Sequence, residues 1–143
     1  MILLDTDVVS EPLRLAPDRR VIDWIDAQAI ATLCLSAITV AELRAGLALL
    51  PAGKRRQALT LGLEAHLLPL FAGRVLPFDL DCTQAYADLL ARTRAAGLAI
   101  AHADACIAAI ALAHGLTVAT RDTRPFLAAG TKVINPWQEG LVE

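Results

Sequence analysis

Five short apolar runs, each separated from the next by segments with helical spacing, constrain this chain more than any other feature. The runs are "ILLD" at 2–5, "TLCLS" at 32–36, "RVLP" at 74–77, "TVAT" at 117–120 and "TKVI" at 131–134, each short enough for a buried strand. Between them, "PDRRVIDWIDAQ" sets Val21, Ile22 and Ile25 on one helical face behind Asp18, a side chain suited to cap a helix start. "AITVAELRAGLALL" places Val40, Leu43, Leu47 and Leu50 at spacings of three and four and stops before Pro51. "KRRQALTLGLEAHLLPL" predicts a helix that breaks near Pro69. "DLDCTQAYADLLARTRAAG" and "HADACIAAIALAHG" predict two more, ending at Gly97 and Gly115. Strands that alternate with helices of this length return parallel through right-handed crossovers. The expected fold is therefore α/β, a parallel sheet of about five strands with helices on both faces, in one domain over 1–143. Residues around Pro51 and Gly53 read as a turn between helices, not a boundary.

Composition supports a packed interior of small aliphatic residues. The apolar share is 56% and the aromatic share only 4%, with 28 Ala and 25 Leu, which suits closely packed helices and argues against disorder. No apolar run approaches the ~18 residues of a membrane span, since "LAIAHADACIAAIALAHG" is broken by His102 and Asp104. The first residues lack the basic stretch of a signal peptide and reach an acid at position 5, so a cytoplasmic protein without membrane contact is expected. Cys34, Cys82 and Cys106 are odd in number, far apart and set among apolar neighbours, which predicts buried thiols rather than disulfides or a zinc site. A net charge of −2 does not announce a nucleic-acid binder, although 11 of the 13 basic residues are Arg, whose planar fork suits phosphate.

Most acids have plain structural readings. Asp18, Asp79 and Asp81 suit helix starts, and Asp23, Asp26, Glu64 and Asp88 suit solvated helix faces. Four fit less easily. Asp5 ends the first strand, Glu42 lies in the otherwise apolar "AITVAEL", Asp104 falls in the first turn of an Ala-rich helix, and Asp122 follows the fourth strand. In a parallel sheet the strand ends that lead into helices share one edge, so these four carboxylates converge on one crevice. Charges that close raise one another's pKa unless a cation compensates them, and Mg²⁺ or Mn²⁺ is the natural partner for oxygen donors. Thr6, Ser36 and Thr120, beside the same strand ends, are positioned to bond the carboxylates or water at the metal. Capping and helix-face roles remain the alternative for all four acids, and Asp7 reads equally well as the cap of a short turn over "VVSEP". His102, His66 and His114 have no second His or Cys at ligand spacing, and neither a nucleophile elbow nor a Gly-rich phosphate loop is present.

Several segments in order resemble one family: "MILLDTDVVSE" at the start, "LSAITVAELRAG" at 35–46, "GRVLPFD" at 73–79, "AHADACIAAIALAHGLTVATRDTRPF" at 101–126 and "VINPW" at 133–137. The chain resembles, over nearly its whole length, the PIN-domain ribonucleases of the VapC toxin type, and in particular their FitB-like members. The resemblance implies a PIN-like α/β/α sandwich and a Mg²⁺- or Mn²⁺-dependent endoribonuclease, the toxin of a type II toxin–antitoxin pair. It implies Asp5, Glu42, Asp104 and Asp122 as the catalytic and metal-holding acids, an RNA substrate, a homodimer, and a VapB-like antitoxin that lays a basic side chain over the acids. The pattern departs in two places: many relatives carry Asn at the position of Asp7, and many carry Asn and Asp at the positions of Asp122 and Pro125.

Arg121 and Arg124, beside the acids, are the favoured phosphate contacts; Arg19, Arg20, Lys54, Arg55, Arg56, Arg92 and Arg94 read first as solvated helix faces. Two rival readings stand. "LLDTDVV" also satisfies the opening motif of haloacid-dehalogenase-type phosphatases, although the chain has only Lys54 and Lys132 and no later Asp-Asp pair. A PIN-like module that binds RNA or protein without cutting is the other.

Overall fold

The run at the N-terminus becomes the centre of the sheet. In the computed structural model, which describes residues 1–138 and the backbone of 141–142, β1 (Ile2–Leu4) lies between β2 (Leu33–Ser36) and β4 (Thr117–Ala119), pairing in parallel with both. β3 (Val75–Leu76) flanks β2, and β5 (Lys132–Ile134) flanks β4, also in parallel. All five runs expected as strands are strands, each ending within a residue or two of the expected position. An antiparallel strand β6 (Leu141–Val142) adds to β5, giving the order β3-β2-β1-β4-β5-β6. Two residues in a chain tail carry no periodicity, so β6 is not legible in the sequence.

Alternation along the strands divides the core in two, because successive strand residues point to opposite faces. Leu3, Cys34, Val118 and Val133 face one layer, built on α5 (Leu80–Ala95), α6 (His102–His114) and α7 (Thr123–Ala129). Leu4, Leu33, Leu35 and Ala119 face the other, with α1 (Thr6–Ser10), α2 (Arg19–Asp26) and α3 (Ala37–Ala48), while α4 (Lys54–Leu61) follows α3 on that side. The result is the three-layer α/β/α sandwich. The first layer explains the alanines: Ala105 to Ala111 are buried without interruption, so α6 is enclosed on all sides and only small side chains let its neighbours approach.

Local signals mostly act as expected. The Asp18 carboxylate accepts from the Arg20 amide at 2.9 Å, and Ser36 caps α3 through the Thr39 amide at 3.0 Å. Gly115 ends α6 in the left-handed region, at φ 66. The segment after α4 widens into a π-helical turn over Gly62–Leu67 and tightens into a 3-10 turn over Leu68–Phe71, where Pro69 denies the backbone a donor. All three cysteines are free and buried. Arg19 pairs with Asp23, Arg20 with Asp18 and Arg44 with Glu64, all at the surface.

Three residues take roles the pattern does not show. The short helix α7 follows β4 despite Pro125, which sits in its first turn where a missing N–H costs nothing. Arg92 is a latch rather than part of a solvated face: its guanidinium donates to the Ala129 carbonyl across Gly130, where φ is 94 and a Cβ would collide with the Arg92 Nη1. Glu11 is buried and accepts from the Asp18 amide at 3.1 Å and from Arg14 at 3.4 Å, tying the loop before α2 to the end of α1.

Candidate active site

The strand-to-helix connections of β1, β2 and β4 meet at one sheet edge, as a parallel sheet requires. Asp5 occupies the step from β1 to α1 and is buried. Its Oδ1 accepts from the Thr6 amide at 2.8 Å and its Oδ2 from the Thr120 hydroxyl at 2.8 Å, so it is the cap of α1 and also a bridge to the end of β4. The cap role considered for Asp7 belongs to Asp5. Burial still pushes the Asp5 pKa up, the Thr120 and Thr6 hydrogen bonds pull it down, and the charges of Glu42 and Asp122 raise it further.

Glu42 enters from α3 and is exposed. Thr6 Oγ1 donates to its Oε1 at 2.7 Å and lies 3.1 Å from Thr39 Oγ1, which is 3.3 Å from Ser36 Oγ. Each hydroxyl has one hydrogen, so Thr6 gives its own to the carboxylate and receives one from Thr39. Of the two roles expected for Ser36, a direct bond to a carboxylate is not the one seen: it reaches Glu42 only through two other hydroxyls, and its oxygen accepts from the Thr39 amide to cap α3. Thr39 is the member outside the expected set, although its place three residues before Glu42 on one helix is a usable signal.

Asp104 lies in the first turn of α6. Burial, and then the charges of Asp5, Glu42 and Asp122, push its pKa up to about 6. Asp122, exposed before α7, lines a cleft of about 340 Å³ with Ala101, Asp104, Arg124 and Pro125. Asp122 and Pro125 thus flank the same space, where the family pattern often has its acid at the later position. The structure brings Asp5 and Asp104 within electrostatic reach of each other and each of them within reach of Glu42 and Asp122.

Asp7 belongs to the same group. Its Oδ2 accepts from the Arg121 amide at 3.1 Å, whereas its Oδ1 is buried with no hydrogen-bond partner. Burial and the charges of Asp5 and Asp104 push its pKa up to about 7. A buried carboxylate oxygen without a donor among mutually repelling acids suits a hard divalent cation, which replaces the missing donors. Among the described residues, no three His, Cys, Asp or Glu side chains already stand as a ready metal-binding group.

These shifts set a pH dependence. Folded Asp7 and Asp104 hold protons that the unfolded chain releases above pH 4, so the metal-free protein loses stability as pH rises from about 4 to 7. Asp7→Asn keeps an acceptor for Arg121 and turns the partnerless oxygen into an amide donor facing the acids. It is expected to stabilise the metal-free protein by about 1–3 kcal/mol at pH 8, and little at pH 4. Urea denaturation in EDTA at both pH values checks this.

The two arginines differ in placement. Arg124 lines the acid cleft, whereas the Arg121 guanidinium lies 5.2 Å from the centroid of the Trp137 ring. Trp137 is itself fixed by its amide donating to the Asn135 side chain at 2.9 Å, so the "VINPW" segment props the loop that carries Arg121. Arg124 is accordingly the better placed for phosphate.

Comparison with known proteins identifies the family. Residues 2–131 match the PIN domain. The chain is 69% identical over 138 residues to the plasmid stability protein StbB of Pseudomonas syringae pv. tomato, covering 96% of this chain and 99% of that one. It is 61% identical to the VapC ribonuclease Y4jK of Sinorhizobium fredii, with the same coverage, and 53% identical to the toxin FitB of Neisseria gonorrhoeae, covering 97% and 100%. Among solved structures, FitAB bound to an IR36 DNA fragment superposes with a TM-score of 0.95 at 51% identity, covering 98% of each chain. The phosphatase reading falls, because the shared opening motif belongs here to a different fold and a different set of acids. The chain belongs to the PIN-domain family, in its VapC and FitB-like branch of toxin–antitoxin proteins.

Proposed function

We propose that this protein is a Mg²⁺- or Mn²⁺-dependent endoribonuclease, a toxin restrained by a VapB-like antitoxin. One observation carries the reading: buried Asp5, the partnerless oxygen of Asp7 and Asp104, whose pKa burial and then neighbouring charge raise, meet Glu42 and Asp122 where three strand ends converge. The names of its relatives, a VapC ribonuclease and a toxin, support it.

Asp5 and Asp104 would hold the cation, with Glu42 and Asp122 completing the site and Asp7 contributing its free oxygen. Bound there, a divalent cation supplies Lewis acidity to the phosphate and lowers the pKa of water. Thr120 and the Thr6 amide orient the two oxygens of Asp5, and the hydroxyl chain from Ser36 through Thr39 and Thr6 fixes Glu42. Exposed Glu42 and Asp122 are suited to accept a proton from attacking water, since an acid base must contact solvent and substrate at once. Arg124 grips a phosphate of the RNA at the rim.

An antitoxin that presents a cationic side chain to the same carboxylates would displace the metal and silence the enzyme, and FitAB supplies the precedent for a two-protein complex. We place the active form as a homodimer in the cytoplasm on the family resemblance; no helix among the described residues is long and apolar enough to cross a membrane.

Antitoxin-free protein incubated with cellular RNA should cut it in Mn²⁺ or Mg²⁺ and not in EDTA. Metal binding without cutting by folded protein would favour the silent binding module, a reading that the apolar Pro125 wall of the cleft keeps in view. Arg124→Ala should lower RNA affinity about three- to tenfold and reduce the salt dependence of binding by about one counterion, with Arg121→Ala having the smaller effect. Fluorescence titration with labelled RNA in EDTA at several salt concentrations measures both.

A further inference from the structure

A second cleft, of about 410 Å³, opens between α3, α5 and α6, lined by Ile38, Phe78, Thr83, Tyr86, His102 and Cys106. We propose that it is a nucleobase-binding subsite that seats one unstacked base of single-stranded RNA beside the acid crevice. The inference rests on the nuclease reading and adds to it where substrate is recognised.

Aromatic side chains are scarce in this protein: two Trp, one Tyr and three Phe. Phe71, Phe126 and Trp137 are buried in the core and half-buried Trp24 packs against the opposite layer, whereas Phe78 and Tyr86, also half-buried, both stand in this wall, next to the exposed ring of His102. The three rings form an edge-to-face series, Phe78 to Tyr86 at 5.8 Å and 89°, and Tyr86 to His102 at 5.9 Å and 76°. Edge-to-face contact uses an edge of one ring and one face of the other, so it leaves ring faces for a stacking partner. Tyr86 Oη and His102 Nδ1 lie 3.1 Å apart, which fixes the imidazole, while its Nε2 lies 3.8 Å from Cys106 Sγ.

The lining holds no Asp, Glu, Lys or Arg. The cleft therefore suits the uncharged part of a nucleotide, whereas the neighbouring acids with their cation and Arg124 suit the phosphate. Apolar and aromatic walls with a few polar groups at the edge, here His102 and Thr83, are the usual chemistry of base recognition in single strands. Position links the two clefts through α3, where Ile38 stands one turn before Glu42 on the same face, while His102 and Asp104 share the first turn of α6 but leave it on opposite sides.

The test uses the full-length, antitoxin-free chain in EDTA, so that no RNA is cut, and short single-stranded oligoribonucleotides with 2-aminopurine at each position in turn. Stacking quenches the probe. Tyr86→Leu should weaken the quenched complex roughly tenfold and Tyr86→Phe, which keeps the ring, should not. Thr83→Trp, on the exposed rim, should block the cleft to a similar extent without removing a core contact, which covers the case in which Tyr86→Leu does not fold. Equal affinity and quenching for wild type and folded Tyr86→Leu and Thr83→Trp would overturn the subsite, as would loss of antitoxin binding with RNA binding intact. The quench needs no turnover, so absence of metal-dependent cutting would count against the nuclease reading and not against the base site.

Discussion

Asp104→Asn should abolish metal-dependent RNA cleavage, lowering the single-turnover rate by about a thousandfold or more, while the protein stays fully folded. The substitution keeps the size of the side chain and removes one of the charges that a cation would compensate. Asp104 is the cleaner choice than Asp5. Asp5 caps α1 and accepts from Thr120, so Asp5→Ala strands a backbone donor and a buried hydroxyl and costs stability as well as activity. Asp104 makes no such bond among the described residues, and its pKa of about 6 shows that its charge opposes the fold. Metal-free Asp104→Asn should accordingly melt no lower than wild type at pH 8. Cleavage of cellular RNA in Mn²⁺, Mg²⁺ and EDTA, beside a melting curve, reads both effects. Undiminished cutting by the pure variant would remove Asp104 from the site.

Phe126→Ala carries the largest expected loss of stability, about 3–5 kcal/mol by urea denaturation. Phe126 is among the largest fully buried side chains and fills the layer between α7, α6 and the sheet. Its carbonyl accepts from both the amide and the hydroxyl of Thr131, so the residue also fixes the turn into β5. Close packing of α6 by alanines leaves little room for neighbours to collapse into the cavity, which places the cost toward the upper end. A loss below 1 kcal/mol would mean that α7 does not close the core as described.

Strands and long helices were legible because burial on both faces writes continuous apolar runs, and amphipathic helices write a period of three to four. Convergence of Asp5, Glu42, Asp104 and Asp122 followed from topology alone, since parallel strands deliver their ends to one edge. What was not legible depended on short range and on partners. α7 is brief and contains Pro125. Asp5 and Asp7 differ by two residues, and only the backbone path decides which one caps α1. Ser36 looks like a carboxylate partner until Thr39 takes its oxygen, and Arg121 looks like a free cation until Trp137 lies beneath it. Glu11 gave no signal, because its partner is a backbone amide seven residues away.

The bond between Thr120 and Asp5 joins residues 115 positions apart in the chain. During synthesis, Asp5 is made long before its companion hydroxyl, Asp122 and the strand that holds them. No translation fragment that stops short of β4 contains the complete group of acids. The order of the residues therefore delays assembly of the acid crevice until β4 is in place.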